Sequence, residues 1–227
     1  MLYLFDSIET LDMDYLLQCL PLLNEHKYNK IISIPDENEQ LRSAVAYMIL
    51  RYGLWENFGI NKHIEFSYNK NGKPYLCDYP GIYFSVSHCH NVIGCLISTT
   101  EVGLSLLDEA PVVWLPVAKK ILTDEEYKTL TENMKYPESY FTLCSVVKMS
   151  KVKQKGLPFT DLFNELPQDD VDTHFFADLE QRYFGAIAGM PNTVVKHIYS
   201  HGINENGSPW FDLELTHKGT DCECYER

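Results

Sequence analysis

The sequence is short of positive charge: 19 Lys and Arg stand against 32 Asp and Glu, a formal net charge of −13. Nucleic acid is held through a basic footprint that displaces counterions, so this balance argues against a nucleic-acid partner. Any anionic ligand must be held by a local basic cluster working against the field of the whole chain. Long apolar runs are missing too. No stretch reaches the roughly 18 uninterrupted apolar residues of a membrane span. The opening Met1-Leu2-Tyr3-Leu4-Phe5 lacks the basic flank and the length of a secretion signal. The expectation is a soluble, cytoplasmic protein with no membrane partner. A disulfide frame is missing as well: the cysteines number seven, and Cys19, Cys95 and Cys144 sit inside apolar runs, as small hydrophobes do in a reducing compartment. Cys222-x-Cys224 with His217 nearby has ligand-like spacing, yet a single such pair in a polar tail reads more simply as an unstructured end.

What is present is enough for a sizeable core. The 227 residues are 45 % hydrophobic, on the scale of one large domain or two small ones. Leu2 to Phe5 reads as a strand, and Leu11 to Leu23 as an amphipathic helix. In Glu25-His26-Lys27-Tyr28-Asn29-Lys30 two lysines share one side of a helical turn, which fits a solvated polar face. Glu39 to Phe58 is a core helix with Leu41, Val45, Met48 and Tyr52 on its stripe; Arg42 lies near its start and Arg51 on the opposite, solvated face. Two apolar runs, Val92 to Ile97 and Val102 to Leu107, are buried strands whose four-residue link predicts a hairpin. Thr123-Asp124-Glu125-Glu126 is a capping box. Pro137 opens a helix that carries Lys148, Lys151, Lys153 and Lys155. Strands follow at Tyr183 to Gly189 and, as a hairpin with a long turn, at Thr193 to Ser200 and Trp210 to Thr216, ahead of a frayed tail.

Four elements carry more than fold. Gly72-Lys73-Pro74-Tyr75 precedes Phe84-Ser85-Val86-Ser87-His88, an apolar strand that stops at a Ser-His pair. Further on come Val102-Gly103-Leu104-Ser105-Leu106-Leu107 and Lys148-Met149-Ser150-Lys151-Val152-Lys153. In order and spacing these elements resemble the Sfp-type 4′-phosphopantetheinyl transferases, over roughly Glu25 to Gly189. The resemblance implies an α+β fold of two similar halves, each a small antiparallel sheet with a packed helix, and a cleft between them for coenzyme A. The expected divisions are residues 1–103, 104–191 and a C-terminal hairpin and tail over 192–227. The resemblance also implies a coenzyme A site made of Arg42, Lys73, Pro74, Ser87, His88, Lys148 and Lys153, with His88 on the 3′-phosphate. Lys148 and Lys153 match phosphate-contacting lysines of the reaction centre. Cys89-His90 invites a nucleophile reading, but neighbours in sequence rarely face each other and no orienting third group is visible.

The family reaction is attack by a carrier-protein serine on the β-phosphate of coenzyme A, with Mg²⁺ held by carboxylates on a Gly-x-Asp-x-Glu strand and a Lys-Glu helix. Here Ser105, Leu107 and Met149 occupy all three carboxylate positions. A bulge near Leu106 would turn Asp108 toward the metal face and recover one ligand; without it Asp108 and Glu109 end the strand in solvent. Two functions stand side by side: an impaired phosphopantetheinyl transferase, with coenzyme A and an acyl or peptidyl carrier protein as partners, or a noncatalytic relative that binds one of them. Four lysines on so acidic a chain leave metal-free coenzyme A binding physically open, because lysine meets phosphate as a point charge.

Overall fold

Leu2–Phe5 (β1) is apolar at every position, and such a strand needs cover on both faces and both edges. The computed structural model supplies both. It describes residues 1–62, 64–132, 134–163, 171–190, 193, 195–197, 199–203 and 209–212. After β1 come α1 (Met13–Cys19), α2 (Glu25–Ile32) and α3 (Glu37–Phe58), whose N-termini are capped by the side chains of Asp12, Asn24 and Asp36. Next are β2 (Phe66–Tyr68), β3 (Pro74–Leu76), β4 (Tyr83–His88), β5 (Ile93–Ser98) and β6 (Gly103–Asp108). Then follow α4 (Leu115–Ile121), α5 (Asp124–Thr131) and α6 (Pro137–Lys155). The last strands are β7 (Thr173–Asp178), β8 (Tyr183–Ala188), β9 (Val195–His197), β10 (Tyr199–Ile203) and β11 (Pro209–Asp212). Helices packed on small, mostly antiparallel sheets make this an α+β fold, as the resemblance implies.

One sheet runs β4-β5-β1-β9, antiparallel except for β1 with β9. A second runs β6-β8-β7, antiparallel throughout. Alternation along the strands divides the core. Tyr3, Phe5, Ile93, Cys95 and Ile97 face α3, in one cluster with Val45, Met48 and Ile49. Leu2, Leu4 and Leu96 face the other way, onto Val102 just before β6 and onto Leu104, Leu106 and Ile187 of the second sheet. The far side of that sheet is covered by α6, where Val146 packs with Phe184 and Ala186. The layers are therefore α3, first sheet, second sheet, α6.

Several expectations are corrected by this topology. Val92 to Ile97 and Val102 to Leu107 do not pair as a hairpin: both edges of β5 are taken by β4 and β1, and β6 pairs with β8. The link between them instead carries the chain from one sheet to the other. The helix over Leu11 to Leu23 is broken into α1 and a short 3-10 turn at Leu20–Leu22, where Pro21 cannot donate to a continuing helix. The edge strand β7 is half exposed and carries no clean alternation, so nothing in its sequence announced it. The Thr123/Glu126 capping box forms with both of its bonds. Cys222, Cys224, His217 and the end of the Trp210 to Thr216 run lie outside the described residues, or in part so.

Gly103 shows how tightly α6 is seated. A Cβ there would lie 2.0 Å from the Ser150 carbonyl oxygen and 2.4 Å from the Gln154 nitrogen, both main-chain atoms of the helix. Substitution by alanine must push α6 off the sheet. Gly103→Ala is expected to cost about 3 kcal/mol, at the upper end for overpacking, which lowers the thermal midpoint by roughly 6–12 °C in a domain of this size; thermal unfolding followed by circular dichroism measures it.

Candidate functional site

The alternating serines of Phe84-Ser85-Val86-Ser87-His88 have a structural purpose. The β6 edge that faces β4 is buried and, among the described residues, is paired with no other strand. Leu104 N donates to Ser85 Oγ at 2.9 Å and Leu106 N to Ser87 Oγ at 3.0 Å, so two hydroxyls two residues apart satisfy two amides two residues apart. The equal offset means that β4 and β6 run in the same direction, side by side. Their ends, His88 and Asp108, therefore come to the same mouth of the seam.

Lysines cross this seam in both directions. Lys153, in the last turn of α6, donates to Ser87 Oγ at 3.0 Å and lies 3.5 Å from the Val86 carbonyl oxygen. Removal from water pushes its ammonium down to about 8. Lys73 reaches the other way, donating to the Gln154 carbonyl at 2.6 Å at the negative end of α6; burial lowers its pKa and Glu101 partly offsets this. Asn69 and Asn71 complete the clasp through the Gly156 carbonyl, at 3.2 and 2.8 Å, while Gly156 ends the helix at φ 59. Lys73 and Pro74 also line a cavity of about 250 Å³ with Asn69, Tyr75, Tyr83 and Glu101, at the end of β4 away from His88.

At the mouth, five groups form one polar chain. Arg42 Nη1 donates to Glu39 Oε1 at 2.8 Å, and His88 Nε2 lies 3.1 Å from Glu39 Oε2. Arg42 Nε donates to the His90 carbonyl at 3.2 Å, and His90 N donates to Asp108 Oδ2 at 2.9 Å and to Oδ1 at 3.2 Å. Arg42 is mostly covered, its side chain 14 % exposed, whereas Glu39 and His88 remain open at 44 % and 40 %. Cys89 is buried beside this chain and its thiol is pushed up to about 12, by burial first and the Asp108 charge second, so it is no nucleophile near neutrality.

The candidate residues thus fall into three places. Arg42 and His88 meet at the mouth, Ser87 and Lys153 meet in the seam, and Lys73 and Pro74 lie beyond it by the end of α6. Lys148 is elsewhere: it extends from α6 to the Ile121 carbonyl at 2.8 Å, closing the end of α4. Lys27 is turned inward, bonded to Ser43 at 3.2 Å, with burial and Lys30 pushing it down to about 8. Arg51, expected on a solvated face, donates to the Leu22 carbonyl at 2.9 Å. Glu39 carries no motif; its only signal in the sequence is the spacing of three to Arg42.

The residues at the expected Mg²⁺ position do not fit a hard cation, which asks for six or so oxygen ligands. Gly103, Ser105 and Leu107 face α6. Ser105 is fully buried with a hydroxyl that makes no hydrogen bond. Leu107 packs against the cluster of Val146 on α6 with Phe184 and Ala186, and Met149 brings a thioether. The β6–β8 ladder keeps one register from Gly103 to Asp108, so the bulge on which Asp108 depended as a ligand is absent. Its carboxylate is turned to His90 instead. Among the described residues no three His, Cys, Asp or Glu side chains converge as a metal site.

No family model matches the chain. Among curated proteins it is similar to a 4′-phosphopantetheinyl transferase of Bacillus subtilis, 28 % identical over 137 residues, 57 % of this chain and 59 % of that protein. It is similar to 4′-phosphopantetheinyl transferase Sfp of Bacillus subtilis strain 168, 24 % identical over 66 % of this chain and 69 % of that protein. A third similarity is to 4′-phosphopantetheinyl transferase ffp of Bacillus subtilis, 30 % identical over 51 % of this chain and 52 % of that protein. The chain spans 59 % of the first of these relatives and 52 % of the last.

The seam yields two tests. Ser85→Ala leaves the Leu104 amide buried without an acceptor and is expected to cost about 1–3 kcal/mol by urea unfolding; Ser85→Thr, which restores a hydroxyl, should recover part of it. Lys153 has a folded pKa of about 8 against 10.5 for the ordinary amine. The unfolded chain therefore holds the extra proton between these values, and stability rises with pH across that window. Measured against Lys153→Met, which removes the titration, the native protein should gain stability from about pH 8 to pH 10.5.

Proposed function

We propose that this chain, a distant relative of the 4′-phosphopantetheinyl transferases, binds coenzyme A in the cleft between its two sheets and is impaired in the Mg²⁺-dependent transfer that the family resemblance implies. Its division into halves would fall near Gly103, where the chain leaves one sheet for the other. The observation that carries the reading is the contrast between the two ends of the site. Arg42 and His88 converge on a single carboxylate at the mouth, as donors to an anion do. The positions of the expected metal carboxylates hold a buried serine, a leucine packed under a helix and a methionine.

Each end has a definite chemistry. Arg42 presents a planar guanidinium already oriented by the His90 carbonyl, so little freedom is lost when it meets a phosphate. His88 adds a second donor from the neighbouring strand end. Lys153 stands in the seam with a desolvated ammonium and with Ser87 as hydrogen-bond partner, ready to exchange that hydroxyl for a phosphate oxygen. Lys148 is occupied at the end of α4 and contributes to this ligand only by leaving the Ile121 carbonyl. Mg²⁺ in the family reaction would neutralise charge building on the pyrophosphate; no side chain at its position here can take over holding it. The resulting protein retains a nucleotide-phosphate grip and lacks the means of transfer. An acyl or peptidyl carrier protein remains the second partner that the resemblance implies.

Calorimetric titration with coenzyme A, with and without Mg²⁺, should give the same affinity in both conditions. Arg42→Ala and His88→Ala should each weaken it roughly tenfold, as loss of a charge-assisted contact does. Lys148→Ala should change it less than about twofold. Incubation with coenzyme A, Mg²⁺ and several apo carrier proteins should leave carrier mass unchanged. Mg²⁺-dependent binding, or a holo carrier at turnover rates, contradicts the proposal.

A further inference from the structure

Arg42 and His88 are not waiting for an anion; they already hold one. Each oxygen of the Glu39 carboxylate has its own donor, Arg42 Nη1 at 2.8 Å on Oε1 and His88 Nε2 at 3.1 Å on Oε2. The two donors come from α3 and from the end of β4, and nothing about helix formation requires Glu39 to turn toward β4. As the third residue of α3 it offers its own amide to the Asp36 cap, which leaves its side chain uncommitted to the helix end. With Glu39 in place the Arg42 charge is balanced, so an arriving phosphate meets no net positive charge from this pair.

We infer that Glu39 is a tethered competitor for the phosphate slot, the residue that sets how strongly this site distinguishes a ligand bearing a phosphate there from one lacking it. This rests on the reading of Arg42 and His88 as phosphate contacts in the proposed coenzyme A site. A phosphate enters when the Glu39 carboxylate swings outward, and both donors pass from one anion to the other. Apparent affinity falls in proportion to the fraction of molecules with the slot open. Because Glu39 itself and its partner His88 are 44 % and 40 % exposed, Glu39 leaves readily although Arg42 is mostly covered. It therefore weakens binding without abolishing it.

The test compares the native protein with Glu39→Gln and with Glu37→Gln, which removes the same charge from the same helical turn at an exposed carboxylate. Inorganic phosphate is titrated while the His88 ring signal is followed by NMR. Coenzyme A and its analogue without the 3′-phosphate are then titrated by calorimetry. Glu39→Gln should lower the phosphate concentration that half-shifts His88 by about five- to tenfold, and Glu37→Gln by less than about twofold. The coenzyme A preference over the analogue should widen by the same factor in Glu39→Gln. Equal phosphate response in all three proteins, or no response of His88 in any, overturns the inference. A stronger phosphate response in Glu39→Gln with no coenzyme A binding in any protein upholds the competitor and overturns the coenzyme A reading instead.

Discussion

Two serine hydroxyls hold the two sheets in register. β6 has to expose a row of amides toward β4, in a place where water cannot serve them, and a buried amide without a partner is costly. Ser85 and Ser87 meet that need at Leu104 and Leu106, one pair every second residue. Because both strands have the same period, one serine in register brings the other into register. The strand ends are then fixed relative to one another, and with them His88, His90 and Asp108. The mouth of the site is a consequence of this pairing.

The same seam explains why residues that resemble ligand contacts are also structural. Ser87 accepts from both the Leu106 amide and the Lys153 ammonium, so it joins the strand register to the last turn of α6. Lys73, Asn69 and Asn71 close the end of that helix from the opposite side. A phosphate in the cleft would compete with these internal bonds. Such a ligand draws the two sheets and α6 together through groups that already connect them, and binding and stability are coupled as any ligand of the folded state requires.

Much of the fold was legible because it rests on local rules. Helix α3, the capping box at Thr123 and Glu126, and α6 after Pro137 follow from periodicity and end signals, and all three are present, although α3 is buried at every position from Ala44 to Leu50 rather than along one stripe. The link after β5 was misleading: four polar residues between two apolar runs fit a hairpin, and only the competition for the β5 edges decides otherwise. β7 was silent because an edge strand half in solvent has no need to alternate. At the site, the order of motifs singled out Arg42 and His88, and the structure brings these two together. Glu39 left only its spacing of three to Arg42, since a carboxylate that turns from a helix onto a distant strand end adds no pattern of its own. Lys148 and Lys153 look equivalent in sequence, but five positions on one helix separate them by well over a quarter turn, and they reach different elements.

Where the family resemblance would place metal carboxylates, this chain has packed side chains. Leu107 lies under α6 and Ser105 is small enough to be enclosed with its hydroxyl unsatisfied, so the surface where carboxylates would gather is closed. Restoring one acid there would place a charge beneath a helix rather than rebuild a site. The most direct test is a crystal structure grown with coenzyme A and Mn²⁺, read by the metal's anomalous signal. The account predicts a nucleotide phosphate against Arg42 and His88, Glu39 swung aside, and no anomalous peak beside Ser105, Leu107 or Asp108. A Mn²⁺ peak bridging the pyrophosphate and Asp108 would contradict it.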